Sequence, residues 1–129
     1  MILLLNTSTP TCYLYFAEAS EITYEKTWES GRGLAKGLLL FIQQELEKQD
    51  LTWKDLSGLV VFKGPGSFTG LRIGITVMNS LAYANGLPIV GITGEQWQQE
   101  GLRRLAAGEN DTIVMPEYGG EANITKPRK

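Results

Sequence analysis

The stretch Gly64-Pro65-Gly66-Ser67-Phe68-Thr69-Gly70-Leu71-Arg72-Ile73-Gly74 limits what this chain can fold into more than any other. It joins an apolar run, Leu59 to Phe62, to a helical pattern running from about Leu71 to Ala84. Glycine and proline at this density make a loop with unusual backbone angles. Ser67 or Thr69 is placed to cap the helix by bonding its first N–H groups. A glycine-rich loop feeding a helix N-terminus is also a common way to hold an anion. This one lacks the Gly-Lys-Ser/Thr ending of a P-loop, and its Gly-x-Gly-x-x-x-Gly spacing is not the dinucleotide form. The competing reading is a tight turn that lets the helix pack closely on a sheet.

The flanking patterns supply the rest of the fold. Ile2 to Leu5 read as a buried strand, and Asn6-Thr7-Ser8-Thr9-Pro10 as a turn. Cys12 to Glu18 and Ile22 to Trp28 alternate as strands, with Ile22, Tyr24, Lys26 and Trp28 on one face. A helix from Gly33 to about Gln49 places Leu34, Leu38, Phe41, Ile42 and Leu46 on one side. Leu40 falls nearly opposite that stripe, and Leu39 at its edge. In the helix after the glycine loop, Leu71, Ile75, Met78 and Ala82 form a core stripe. Ile73, Val77, Leu81 and Ala84 form a second one, and Arg72, Thr76, Asn79 and Tyr83 a narrow polar face. Ile89 to Ile92 read as a last parallel strand, followed by a helix from Glu95 to Ala107 and a short strand over 112–115. Three antiparallel strands followed by helix–strand–helix–strand–helix give an α/β fold with a mixed sheet. That is the order of one lobe of the actin/hexokinase/Hsp70 ATPase superfamily, with ribonuclease H-like topology. Residues 1–110 are expected to form the lobe, and 111–129 a short strand and an extended tail.

Composition narrows the chemistry. The chain has no histidine and one cysteine, which excludes histidine-based triads and conventional zinc sites. Carboxylate-based magnesium chemistry stays open. A net charge of −2 shows no broad basic surface for nucleic acid. A lone Cys12, expected as a buried small hydrophobe, suits a reducing cytoplasm. No signal-peptide pattern opens the chain, and no apolar run approaches the ~18 residues of a membrane span.

The eleven residues 64–74 resemble the signature of the TsaB (YeaZ) family. Leu3-Leu4-Leu5-Asn6-Thr7-Ser8 is similar to the family's first strand and turn, with asparagine where aspartate is usual. Asp55-Leu56-Ser57-Gly58-Leu59-Val60-Val61 resembles the lead-in to the signature, and Leu87-Pro88-Ile89-Val90-Gly91-Ile92 the strand after it. The resemblance covers about residues 1–107. It implies a role in making N6-threonylcarbamoyladenosine on tRNA, as a non-catalytic partner of the related TsaD subunit, with a TsaE ATPase joining the assembly. It also implies pairing through helices that correspond to residues 33–48 and 70–84. Family members usually carry a second lobe; here Pro116-Glu117-Tyr118 through Ile124-Thr125-Lys126-Pro127 looks like the family's tail following directly on the first. The family's helix before the signature commonly holds histidine, where this chain reads Gly33-Leu34-Ala35-Lys36-Gly37.

These readings set the expectations for sites. The partner interface is expected at Leu38, Leu40, Phe41, Arg72, Ile73, Val77 and Leu81, with Arg72 meeting a partner carboxylate or a phosphate, or staying solvated or ion-paired. Homodimerisation through the same two helices is an alternative pairing. The signature loop, Gly64, Pro65, Gly66, Ser67, Phe68, Thr69 and Gly70, is expected to be a structural turn. No catalytic residue, metal or cofactor is assigned to this chain, although a nucleotide at a complex interface fits the superfamily. The basic end, Lys126 to Lys129, either brushes tRNA phosphate or is a solvated tail. The function of a different class is a small nucleotide-binding enzyme of the ATPase superfamily. A peptidase lacks a histidine base and a metal-ligand set.

Overall fold

Period-two alternation at the start of the chain produces three strands: β1 (Ile2–Asn6), β2 (Thr11–Glu18) and β3 (Glu21–Glu29). The computed structural model describes residues 1–117. A 3-10 turn over Gly31–Gly33 leads into α1 (Leu34–Lys48). Then follow β4 (Gly58–Phe62), α2 (Phe68–Asn85), β5 (Ile89–Ile92) and α3 (Trp97–Ala106). The sheet order is β3-β2-β1-β4-β5. β1, β2 and β3 pair antiparallel, whereas β4 pairs parallel with both β1 and β5. This is the expected mixed sheet.

Leu3, Leu4 and Leu5 are all fully buried because β1 is the middle strand and is covered on both faces. Leu3, Leu5, Leu14, Phe16, Leu59 and Val61 point to the layer made by α1 and α2. Leu4, Val60, Val90 and Ile92 point to the other face, under Trp97 and Leu102 of α3. The indole of Trp97 sits edge-on to the rings of Tyr15 and Phe62, at 5.9 and 5.7 Å between centroids. Such edge-to-face pairs add to the burial of the rings themselves.

Two expectations fail here. Ile22 and Tyr24 do not share a face. Phe16 pairs with Tyr24 but Ala17 with Ile22, so Thr23 is an extra residue and the strand bulges. Ile22 therefore packs beneath α3, while Tyr24 and Trp28 pack against the α1 side. Residues 112–115 form no strand. They belong instead to a strap that closes the outer edge of β5. The Asn110 side chain accepts the N–H of Ile89 at 3.0 Å, and the Asp111 carboxylate accepts that of Gly91 at 2.9 Å. Arg104 reaches from α3 to both oxygens of Asp111, at 2.5 and 3.2 Å. Asn79 on α2 exchanges two hydrogen bonds with the backbone of Val114, at 2.9 and 3.0 Å. Side chains thus supply the partners that a further strand would have given. Residues 118–129, including the basic end and most of the expected tail, lie outside the described residues.

One carboxylate is buried in the α1 layer. Glu45 is 2% exposed and accepts from the Tyr24 hydroxyl at 2.5 Å and from Lys48 at 3.0 Å. Burial pushes the Glu45 carboxyl up, but the Tyr24 and Lys48 bonds outweigh it and leave the group below its ordinary range. The Tyr24 hydroxyl, held by Glu45 and then by burial, is pushed up to about 12.

Candidate functional site

The glycine loop is built against the first turn of the chain. A methyl group on Gly66 would strike Ser8, and one on Gly70 would strike the carbonyl of Thr7. One on Gly74, a turn further along α2, would strike the Thr7 hydroxyl. Thr7 is 1% exposed, and its hydroxyl donates to the Gly70 carbonyl at 2.7 Å. The Ser67 N–H donates to the Ser8 carbonyl at 2.9 Å. The repeated glycines are thus close-approach residues that seat the start of α2 on the β1–β2 turn. Ser67 is the N-cap, accepting from the Gly70 N–H at 3.4 Å, while Thr69 lies inside the helix. α2 begins at Phe68, earlier than the apolar periodicity indicates, and ends on Gly86 in the left-handed conformation. Gly64 has φ +120°, and its peptide bond to Pro65 is cis. A side chain there would meet the carbonyl of Glu117, whose N–H bonds the Lys63 carbonyl at 2.7 Å.

The loop therefore aims α2, which lies beside α1 on one sheet face. Leu38 is fully buried, and Phe41 and Leu81 are each 8% exposed. These three expected interface residues belong to the core, because the inner sides of both helices and the seam between them are filled from within the chain. Ile73 and Val77 are half-buried in that seam and half open outward. Leu40, expected at the interface, is 56% exposed. Leu39, not expected there, is 50% exposed. Its spacing of four from Ala35 was the available signal, since Ala35 lines the same outer hollow as Ile73 and Val77. An apolar surface of this kind, carried by two rigid helices, suits docking to another protein.

Arg72 is exposed, with its guanidinium 5.2 Å from the centre of the Phe68 ring one turn earlier. It forms no ion pair among the described residues. Cys12 is buried, and burial pushes its thiol up to about 12, away from thiolate chemistry. Among the described residues no group of three or more histidine, cysteine, aspartate or glutamate side chains is placed to hold a metal. No helix of the described residues is long and apolar enough to cross a membrane.

Known proteins match this arrangement. The family model for TsaD, tRNA N6-adenosine threonylcarbamoyltransferase, matches residues 28–100, more than half of the chain. The tRNA threonylcarbamoyladenosine biosynthesis protein TsaB of Bacillus subtilis is 39% identical over 102 residues, covering 78% of this chain and 39% of that protein. Its counterpart in Escherichia coli is 30% identical over 95 residues, covering 67% of this chain and 41% of that protein. The solved structure of YeaZ from Pseudomonas aeruginosa superposes with a TM-score of 0.65 at 27% identity, over 71% of this chain and 43% of that one. The chain thus spans about four-tenths of the length of these relatives. The signature loop, the mixed sheet and these matches agree on the ATPase-superfamily fold. The chain belongs to the TsaD-type family and, within it, to the TsaB (YeaZ) group.

Proposed function

We propose that this chain serves the synthesis of N6-threonylcarbamoyladenosine on tRNA as a non-catalytic docking subunit. Its partner is a TsaD-type subunit, and a TsaE-type ATPase joins the assembly. The observation that carries this reading is the outer face of the α1–α2 layer, where Leu39 and Leu40 are at least half exposed and Ile73 and Val77 lie half-open in the seam. The names of the TsaB relatives supply the biosynthetic context. The absence of histidine anywhere in the sequence supports the non-catalytic role. The loop amides support it too, because Ser67 and Gly70 spend their N–H groups on internal partners instead of offering them to a phosphate. Contact with tRNA is then indirect, no cofactor is held by this chain alone, and the work takes place in the cytoplasm.

The test is Val77→Glu. A carboxylate in the open part of the seam puts a desolvated charge into any complex made through this face. The variant is expected to stay folded, as judged by circular dichroism, and to lose co-purification with the TsaD-type subunit. Normal co-purification would move the interface elsewhere. Calorimetry of the isolated chain with ATP and magnesium addresses the enzyme alternative, and no saturable binding is expected.

A further inference from the structure

The sheet has two edges, and the chain treats them differently. At β5 the strap gives side-chain partners to the outward N–H groups of Ile89 and Gly91. At β3 no strand among the described residues pairs with the outer side. The bulge at Thr23 interrupts the first part of β3 and spoils it as a template. The run from Tyr24 to Glu29 pairs with β2 without interruption. Every second residue of that run directs its backbone N–H and C=O groups outward, with no strand to receive them.

The two faces of this run carry different chemistry. Tyr24 and Trp28 are half-buried on the α1 side, and exposed Lys26 lies between them. Exposed Glu25, Thr27 and Glu29 are turned to the α3 side, where Glu25 lies opposite Tyr15 and Glu29 opposite Thr11. The Thr11 hydroxyl donates to the Glu29 carboxylate at 3.0 Å. Glu25, Lys26 and Glu29 form no ion pair among the described residues. No lysine or arginine of β2 or β3 shares the face of Glu25 and Glu29. An extended segment added to this edge continues the period of two. Its residues beside Tyr24 and Trp28 meet aromatic surface, and those beside Glu25 and Glu29 meet carboxylates. Apolar–aromatic and opposite-charge pairs across strands stabilise such an addition, while the backbone bonds hold it. A second copy is a poor occupant. Antiparallel pairing of two β3 strands opposes Glu25 to Glu25, Lys26 to Lys26, or Glu25 to Glu29, as the two-fold axis passes Glu25, Lys26 or Thr27. We infer that the outer edge of β3 takes an extended segment of another protein in which apolar and basic residues alternate. This edge is separate from the α1–α2 face and does not depend on the TsaD-type pairing proposed above.

The test titrates the full chain with a capped peptide of about eight residues in which valine and lysine alternate. A control peptide has the same composition with valines and lysines in separate blocks. Calorimetry at about 0.15 M salt limits long-range charge attraction. The alternating peptide is expected to bind saturably, and the block peptide about tenfold more weakly or worse. Glu25→Lys/Glu29→Lys, at two exposed positions, is expected to weaken the alternating peptide about tenfold or more with circular dichroism unchanged. Two further peptides leave the protein untouched. N-methylation of every valine in one and every lysine in the other blocks opposite edges of the added strand, so one should bind and the other should not. Val77→Glu is expected to leave peptide binding unchanged, which separates this edge from the α1–α2 face. Equal binding of the alternating and block peptides would mean charge attraction without strand pairing, and overturns the inference. Equal binding of the two methylated peptides, or of the double variant and wild type, overturns it too. Wild-type dimerisation that Glu25→Lys abolishes would give the edge to a second copy. A tenfold gain in peptide binding on Lys126→Glu/Arg128→Glu/Lys129→Glu would give it to the chain's own basic end. Either result overturns the inference.

Discussion

At the scale of single residues, the fold depends on the pairing of Thr7 with Gly70 and Gly74. The Thr7 hydroxyl donates to the Gly70 carbonyl at 2.7 Å, and a methyl on Gly74 would overlap that same hydroxyl. Gly74→Ala should therefore cost about 1–3 kcal/mol by overpacking. Thr7→Ala should cost about 1 kcal/mol by removing the hydrogen bond. The two are expected to be non-additive in a favourable sense, since Thr7→Ala removes the atoms that the new methyl strikes. Urea unfolding of the two single variants and the double would measure that coupling, and strict additivity would refute the contact. Glu45 and Tyr24 give a second expectation. With its folded value depressed below 4.5, Glu45 contributes stability above that pH and loses it as pH falls through the folded value. Tyr24, raised from 10.0 to about 12, contributes below pH 10 and loses its contribution as pH rises toward 12. Tyr24→Phe should cost about 1.5–3 kcal/mol at neutral pH, the range for a hydrogen bond to a charged group. It should also move the acid limb of the stability curve upward and flatten the decline between pH 10 and 12, both readable from urea midpoints across pH.

At the scale of elements, the strap after α3 decides how the sheet ends. β5 is an edge strand whose outward N–H groups at Ile89 and Gly91 are taken by Asn110 and Asp111. Arg104 fixes Asp111 in place, and their pairing holds the Asp111 carboxyl below its ordinary range against the upward push of burial. Asp111→Ala should speed hydrogen exchange at the Gly91 amide by tenfold or more, which is about the loss of one ~1.4 kcal/mol bond. Exchange at the Val60 amide, inside the sheet, should change far less. A uniform increase would mean global destabilisation in place of an opened edge. The sequence pattern showed an apolar tetrad at 112–115 and suggested a strand, but could not show that side chains at 110 and 111 already occupy the positions a strand would bond. It likewise marked Ile22 and Tyr24 as one face, because alternation cannot register the extra residue at Thr23 that turns the strand over.

At the scale of the whole molecule, the sheet is two-sided and its two helical covers differ. Among the described residues α3 is the one helix on one face, with its Trp97 and Leu102 turned to the sheet, while α1 and α2 share the other and keep an apolar outer side. If that outer side is the docking face, hydrogen exchange of the chain with and without a TsaD-type subunit should slow in α1 and α2 and stay unchanged in α3. Protection centred on α3 would reverse the assignment. By itself the sequence determined the order and type of the main elements, the core stripe of each helix and the family, because periodicity and the 64–74 motif are written locally. Only the tertiary structure decided which apolar residues remained for a partner. Leu38, Phe41 and Leu81 were expected there too, but the packing of α1 against α2 consumes them and leaves Leu39, Leu40, Ile73 and Val77 at the surface. It also decided the purpose of the glycines, since Thr7 and Gly74 lie far apart in the chain and are neighbours only once β1 and α2 are in place. Burial and close approach are properties of elements brought together, and a one-dimensional pattern does not record them.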